Sequence, residues 1–257
     1  MAGTDSTQLD NLPDGGPVII LVQPQLGQNI GMVARAMLNN GLAELRLVAP
    51  RDGWPNPEAV AAASGADQVI ENATVYETTA EAVADLQRVY ATTARPRGMV
   101  GRVMTPRAAG REFIEVHKAG NRYGVLFGGE RAGLHNDDVT LADTIIEAPL
   151  NPSFRSLNLA QAVLLVSYEW YQNRIEAPEE RLEAGDSELA GKEELLNFLT
   201  RLEASLDEGG FFKSPGLRPV TVRNIRNMFQ RAGLTSQEVR TLHGIAEALK
   251  RAGGKEE

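Results

Sequence analysis

Short apolar runs alternate with helix-length segments through the first two thirds of the chain. Val18–Val22 is apolar at every position, as expected for a strand covered on both faces of a sheet. A polar loop, Gln23 to Gln28, leads into a helical stretch from about Asn29 to Asn40. Gly41 then supplies the residue type that commonly ends helices. Leu45–Val48 is the next strand. Alanine-rich helical pieces and short strands alternate through Val69–Ile70, Glu81–Leu86, Arg88–Ala91, Pro106–Lys118 and Tyr123–Phe127. This alternation predicts an α/β protein with a mostly parallel sheet between helices.

Residues 149–171 carry the most information. A strand, Thr144–Ala148, runs into a polar loop holding Asn151, Ser153, Arg155, Ser156 and Asn158, and a long helix follows at once. From Leu157 to Val166 only Asn158 and Gln161 interrupt an apolar surface. A helix apolar all round must be buried in a core or against a partner. The first N–H groups of a helix lack intrahelical acceptors, so this entrance suits a small polar or anionic ligand.

Beyond residue 176 the pattern becomes purely helical. Residues 177–187 form a charged linker with proline and glycine. Leu189–Leu206 is amphipathic, with Leu195, Leu196, Leu199 and Leu202 on one side. Arg218–Arg231 follows, Gly233 breaks it, and Thr235 with Glu238 has the capping-box spacing that opens a last helix to about Arg251. Three helices with a tight turn predict a small helix-turn-helix-like module.

The chain has 257 residues, 42% of them hydrophobic, and a formal net charge of −8. It has no cysteine, which excludes disulfides, thiolate metal sites and a cysteine nucleophile. His117, His135 and His243 lack metal-ligand spacing, so no metal is expected. Residues 1–16 have no basic-then-apolar pattern and read as a disordered lead. No apolar run reaches membrane-spanning length, and a cytoplasmic protein is expected. The charge is unevenly spread. Residues 176–208 hold eleven acidic and three basic side chains, while 88–122 hold eight basic and two acidic. Lys213 to Arg231 has five basic residues and no acidic one. These basic clusters are either solvated helix faces or phosphate-facing surfaces of a nucleic-acid-binding protein.

Two further motifs stand out. Asn29 and Arg35, in N-I-G-M-V-A-R, share a helix face only if Asn29 is still in the loop as a cap. Otherwise the pair is a cap beside a solvated arginine. Leu126–Leu134, L-F-G-G-E-R-A-G-L, follows a strand, and its glycines let a backbone approach a ligand closely. Its spacing is not G-x-G-x-x-G, so a dinucleotide fingerprint fails, and a plain glycine turn is the alternative.

In this order, N-x-x-x-x-x-R, F-G-x-E-x-x-G-L and P-x-N-P-x-x-x-S-L-N-L-A-x-A-V resemble the three motifs of the SPOUT superfamily of RNA methyltransferases. The third motif and the helical tail are most similar to the TrmJ-type tRNA ribose 2′-O-methyltransferases. The resemblance is strongest over 17–174, and the tail pieces at 210–212 and 227–239 extend it to almost the whole chain. It implies an α/β SPOUT fold with a deep trefoil knot, which general topology rules would not predict. It also implies a homodimer, with the apolar helix after Leu157 serving less as core than as half of the interface. The domains then read as a methyltransferase domain over 17–176, the acidic linker 177–187 and a helical tRNA-binding extension over 188–257.

The same resemblance implies S-adenosyl-L-methionine as cofactor and S-adenosyl-L-homocysteine as product. Cofactor contacts carry over to Thr93, Ala94 and Arg95, to Gly128 and Gly129, and to Ala148, Leu150, Arg155, Ser156, Leu157 and Asn158. The catalytic set is Arg35 with Asn29, Glu130, Ser156 and Asn158. Glu130 either orients its loop or bonds a cofactor or ribose group. Arg155 departs from the pattern, standing where the TrmJ type commonly has a small residue such as serine. The implied reaction is 2′-O-methylation of tRNA at nucleotide 32 of the anticodon loop. The alternatives are methylation of another RNA or of a base, or a non-catalytic RNA-binding protein.

Overall fold

The computed structural model describes residues 15–93, 101–175 and 186–253. The chain divides into two compact units, one ending at Ala177 and the other beginning at Pro178.

Among the described residues the first unit has seven strands: β1 Val18–Val22, β2 Leu45–Val48, β3 Thr74–Tyr76, β4 Arg88–Thr92, β5 Arg102–Met104, β6 Tyr123–Gly128 and β7 Thr144–Ile146. They form one sheet in the order β3-β2-β1-β6-β4-β7-β5, and every pairing is parallel. A parallel sheet needs cover on both faces, and strand alternation supplies it. Ile19 and Leu21 of β1 join one apolar cluster, with Leu45, Leu47, Val125 and Phe127 from neighbouring strands. Val18, Ile20 and Val22 join the other, with Val89, Ala91 and Leu126.

On the first face pack α1 (Gly27–Leu38), α2 (Pro57–Ala63), α3 (Asp67–Glu71), α5 (Pro106–Lys118) and α7 (Leu159–Arg174). On the second lie α4 (Thr79–Val83) and α6 (Asn136–Val139), through Ala82 and Val139. The rings of Tyr90, Phe113 and Tyr123 meet in the first core, with centroids 4.9 and 5.2 Å apart. Near the N-terminal ends of β2 and β6, the buried Arg46 guanidinium bonds Glu44, Asp85 and the Ala82 carbonyl, and Arg122 pairs with the same two carboxylates.

The alternation of strands and helices is as the hydrophobic pattern predicts, but several elements were not legible in it. β3 and β5 are three residues long, and α6 is four. Pieces this short carry less than one clear period. α2 lies directly after a stretch that reads as turns, where Pro57 sits in its first turn and Asn56 accepts the N–H groups of Glu58 and Ala59. α1 begins at Gly27, so Asn29 is inside the first turn and not the cap. β7 ends at Ile146 and α7 starts at Leu159, with Asn158 as its N-cap; Leu157 therefore belongs to the loop.

α7 explains its own composition. At about 100° per residue its surface divides into three stripes. Val163, Ser167 and Trp170 are buried in the core against α1 and α5. Leu159, Ala162 and Leu165 line a cleft described below. Leu164 and Tyr168 face outward, 43% and 50% exposed. The expectation that this helix is interface more than core is thus corrected: one stripe is fully core.

The second unit holds α8 (Lys192–Glu208), α9 (Arg218–Arg231) and α10 (Ser236–Gly253). Its core is Leu195, Phe198, Leu199 and Val239, with Leu202, Ile225, Phe229 and Leu242 packed around them. Leu196, expected on the apolar side, is 43% exposed instead, and Leu189 precedes α8 and is also exposed. The capping box at Thr235 and Glu238 is present: the Thr235 N–H donates to Glu238 at 2.7 Å and the Glu238 N–H to the threonine hydroxyl at 3.3 Å.

Candidate active site

Open parallel sheets bind ligands beyond the carboxyl ends of their strands, and the cleft of this molecule lies there. It has a volume of about 600 Å³. Three walls come from the segments leaving β4, β6 and β7: Thr92 and Thr93, Gly128 to Leu134, and Glu147 to Leu150 with Pro152 and Arg155 to Leu157. The fourth is the apolar stripe of α7.

Motif two is a closed turn. The Gly133 N–H donates to the Gly129 carbonyl at 2.8 Å. Both Gly128 and Gly129 are required by close backbone approach. A Cβ on Gly128 would lie 2.1 Å from the Gly133 carbonyl carbon and the Leu134 nitrogen, and one on Gly129 would lie 2.4 Å from the Gln23 carbonyl oxygen. The glycines therefore admit protein backbone as well as bordering the cleft.

Glu130, one residue on, ties the turn to the loop after β1. Its carboxylate accepts the N–H of Gln25 at 2.8 Å, that of Leu26 at 3.2 Å, and Asn29 Nδ2 at 2.7 Å. Asn29 is 4% exposed, and its Oδ1 accepts Asn158 Nδ2 at 3.0 Å. Asn158 in turn caps α7, with Oδ1 taking the Ala160 N–H at 2.9 Å and Gln161 reaching back to the Asn158 N–H at 3.1 Å. One hydrogen-bond chain, Glu130–Asn29–Asn158, thus joins all three motifs. Partial burial opposes ionisation of Glu130. The bonds from Asn29, Gln25 and Leu26 outweigh that cost and hold its carboxyl below the ordinary glutamate value.

Of the expected cofactor residues, Thr93, Gly128, Gly129, Ala148, Leu150, Arg155, Ser156 and Leu157 all line the cleft. Ala94 and Arg95 lie outside the described residues. Asn158 is not in the wall; it holds the mouth of α7 in place. Among the catalytic set, Glu130 and Ser156 border the cleft, and Asn29 sits behind it. Arg35 is exposed on α1 and is not part of the cleft wall. Its side chain makes no hydrogen bond or ion pair among the described residues.

Sequence reasoning missed Thr92, Pro106, Arg131, Glu147 and the α7 stripe. The stripe was readable in principle, because Leu159, Ala162 and Leu165 recur at three-residue spacing. Pro106 was not, since only the pairing of β5 with β7 brings it near.

Residues 16–168 match the SpoU rRNA Methylase family. The chain belongs to that family. Its relatives extend the match into the helical unit. The tRNA (cytidine/uridine-2′-O-)-methyltransferase TrmJ of Pectobacterium atrosepticum is 35% identical over 91% of this chain and 96% of its own length. The tRNA (cytidine/uridine/adenosine-2′-O-)-methyltransferase TrmJ of Pseudomonas aeruginosa is 33% identical over 92% and 95%. A crystal structure of TrmJ from Z. mobilis superposes with a TM-score of 0.80 at 51% identity, covering 91% of this chain and 99% of that one.

Family membership makes the protein a methyltransferase of the SPOUT fold, with S-adenosylmethionine as methyl donor. The residues present fit that molecule. The cleft lies within the range of about 300–1,000 Å³ usual for small-molecule sites. It combines loop backbone suited to a nucleoside's polar edges with an apolar helix face for its ring. Among the described residues no cluster of His, Asp or Glu is placed to hold a metal ion, and no helix is long and apolar enough to cross a membrane.

Proposed function

We propose that the protein methylates the ribose 2′-oxygen of nucleotide 32 in the tRNA anticodon loop. The observation that carries the reading is the cleft at the carboxyl ends of β4, β6 and β7, walled by motifs two and three and braced by Glu130, Asn29 and Asn158. The relatives named for tRNA 2′-O-methylation match nearly the full chain, which supports tRNA over ribosomal RNA. Nucleotide 32 follows from the resemblance of the third motif and the tail to the TrmJ type. A tRNA-modifying role suits the cytoplasm.

When bound, S-adenosylmethionine supplies an electrophilic sulfonium methyl. The protein's part is to place a ribose hydroxyl in line with it and to favour the alkoxide character that develops as the hydroxyl proton passes to solvent water. Arg35 takes the second task. A guanidinium stays protonated and cannot act as a ready base, so it holds the adjacent phosphate and stabilises the developing negative charge. Ser156, at the cleft edge, bonds the incoming ribose. Glu130, Asn29 and Asn158 position the loops.

The protein works as a homodimer in this reading. Leu164 and Tyr168 on α7 and Met32 on α1 are exposed apolar groups that a second copy would cover. Arg35, absent from the wall of its own cleft, then serves an active site at the interface. Insertion of β7 between β4 and β5, both earlier in sequence, supports the knotted threading that the resemblance implies. The basic run from Lys213 to Arg231 grips tRNA backbone outside the loop.

Mapping 2′-O-methyl groups in total tRNA from cells with and without the gene tests the assignment. Loss of the group at nucleotide 32 alone is expected. Loss at another tRNA position, in ribosomal RNA, or of a base methyl group would replace it.

A further inference from the structure

The loop between β7 and α7 presents a side chain that neither core nor cleft uses. Phe154 is 76% exposed, more than any other large hydrophobic side chain among the described residues. Its presentation is built, not accidental. Asn151 closes a turn beneath it, accepting the Ser153 N–H on Oδ1 at 3.0 Å and the Phe154 N–H on its carbonyl at 2.9 Å. Pro152 stiffens the same turn. Pro152, two residues before it, and Arg155, the next residue, line the cleft, so the ring stands on the cleft rim. Arg155 is exposed and makes no ion pair among the described residues.

An outward aromatic ring next to an unpaired guanidinium, at the mouth of a nucleoside-sized cleft, matches the chemistry of an unpaired nucleotide. Bases displaced from a helix stack on aromatic faces, and arginine holds the phosphate beside them. We propose that Phe154 is the stacking platform for the base of the nucleotide whose ribose enters the cleft, and that Arg155 holds its phosphate. This rests on the reading of the protein as an RNA ribose methyltransferase. Stacking accepts every base, so the pair contributes affinity for an extruded nucleotide without selecting its identity. It also gives Arg155 a function that the small residue common in the TrmJ type could not perform.

The test uses full-length protein with unmodified transcribed tRNA, and compares wild type with Phe154→Ala, Phe154→Tyr, Phe154→Leu and Arg155→Ser. Phe154→Ala is expected to raise KM for tRNA roughly 10–100-fold. For the Phe154 variants, S-adenosylmethionine affinity by calorimetry and sedimentation behaviour should stay at wild-type values. Phe154→Tyr should restore KM and Phe154→Leu should not. Arg155→Ser should reduce the slope of log affinity against log salt by about one. An unchanged KM, equal rescue by leucine, or a changed sedimentation coefficient would overturn the platform, the last by showing that Phe154 packs against a second copy. An unchanged slope would remove Arg155 from phosphate binding. A wild-type protein that neither binds nor methylates tRNA would overturn the underlying reading, and the proposal with it.

Discussion

Two sets of polar residues from the same three motifs meet opposite fates. Glu130, Asn29 and Asn158 bond to one another around the buried Asn29, with each link between 2.7 and 3.0 Å. Arg35, Arg155 and Ser156 turn outward, and none makes a side-chain hydrogen bond among the described residues. A motif therefore mixes two demands within a few positions. The bonded set fixes the segments leaving β1 and β6 against the start of α7. The outward set is left free to meet a ligand, since a group already paired within the protein would have to break that bond first. The difference predicts that substitutions in the bonded set change stability and cofactor affinity together, and that substitution of Arg35, which lies outside the cleft wall, changes turnover or RNA binding alone.

The largest effect should come from the outward set. Arg35→Ala is expected to lower kcat about 100- to 1,000-fold, the usual loss when one stabiliser of developing negative charge is removed. The melting temperature should not move, because Arg35 has no partner among the described residues to lose. Arg35→Lys should recover part of the rate. Near-normal turnover by the lysine variant, with a shifted acidic limb in its pH profile, would show a proton-accepting role in place of the electrostatic one. Glu130→Ala comes next. It leaves two backbone N–H groups and a buried asparagine amide without their acceptor, at a cost of about 2–3 kcal/mol. Thermal melting should fall by roughly 5–10 °C for a chain of this size. Calorimetry should show weaker S-adenosylmethionine binding. A stable variant with full cofactor affinity would break the distinction drawn above.

How much of this is legible in the sequence depends on range. The strand–helix alternation was readable because buried parallel strands are continuous apolar runs, and Val18–Val22 is apolar throughout. The short strands and α6 were not, since β5 exists only through its ladder with β7. Most of the cleft wall could be placed from the motifs, since each motif follows a strand and the strands end on one side. What the motifs could not show was direction. Nothing in the spacing of Asn29, Glu130 and Asn158 says that they bond one another across 101 and 129 residues of chain. Nor does composition reveal that α7 serves core, cleft and exterior at once. Phe154 escaped notice because a single aromatic residue in a polar loop does not show whether it packs inward or faces outward. Only its exposure sets it apart.

The chain of bonds also sets two smaller effects. Asn29→Ala and Asn158→Ala remove opposite ends of one hydrogen bond, so their costs should not add. A double-mutant cycle on unfolding free energy should return a coupling of about 0.5–1.5 kcal/mol, and a value near zero would mean that the link does not join the motifs. The pH dependence is subtler. The Glu130 carboxyl is held below its ordinary value, so the folded state binds a proton at this group less readily than the unfolded chain does. Its contribution is therefore complete above the ordinary glutamate range of about 4.3 and fades as pH falls through the lower folded value. Between pH 7 and 5 the stability difference between wild type and Glu130→Gln should stay constant. It should narrow only at more acidic pH, as the wild-type carboxylate takes up its proton. A difference that instead widens as pH falls toward 6 would place the Glu130 carboxyl above its ordinary value, since the folded state would then bind the proton more tightly than the unfolded chain. Burial would then dominate over the three donors, and the brace would be weaker than its geometry indicates.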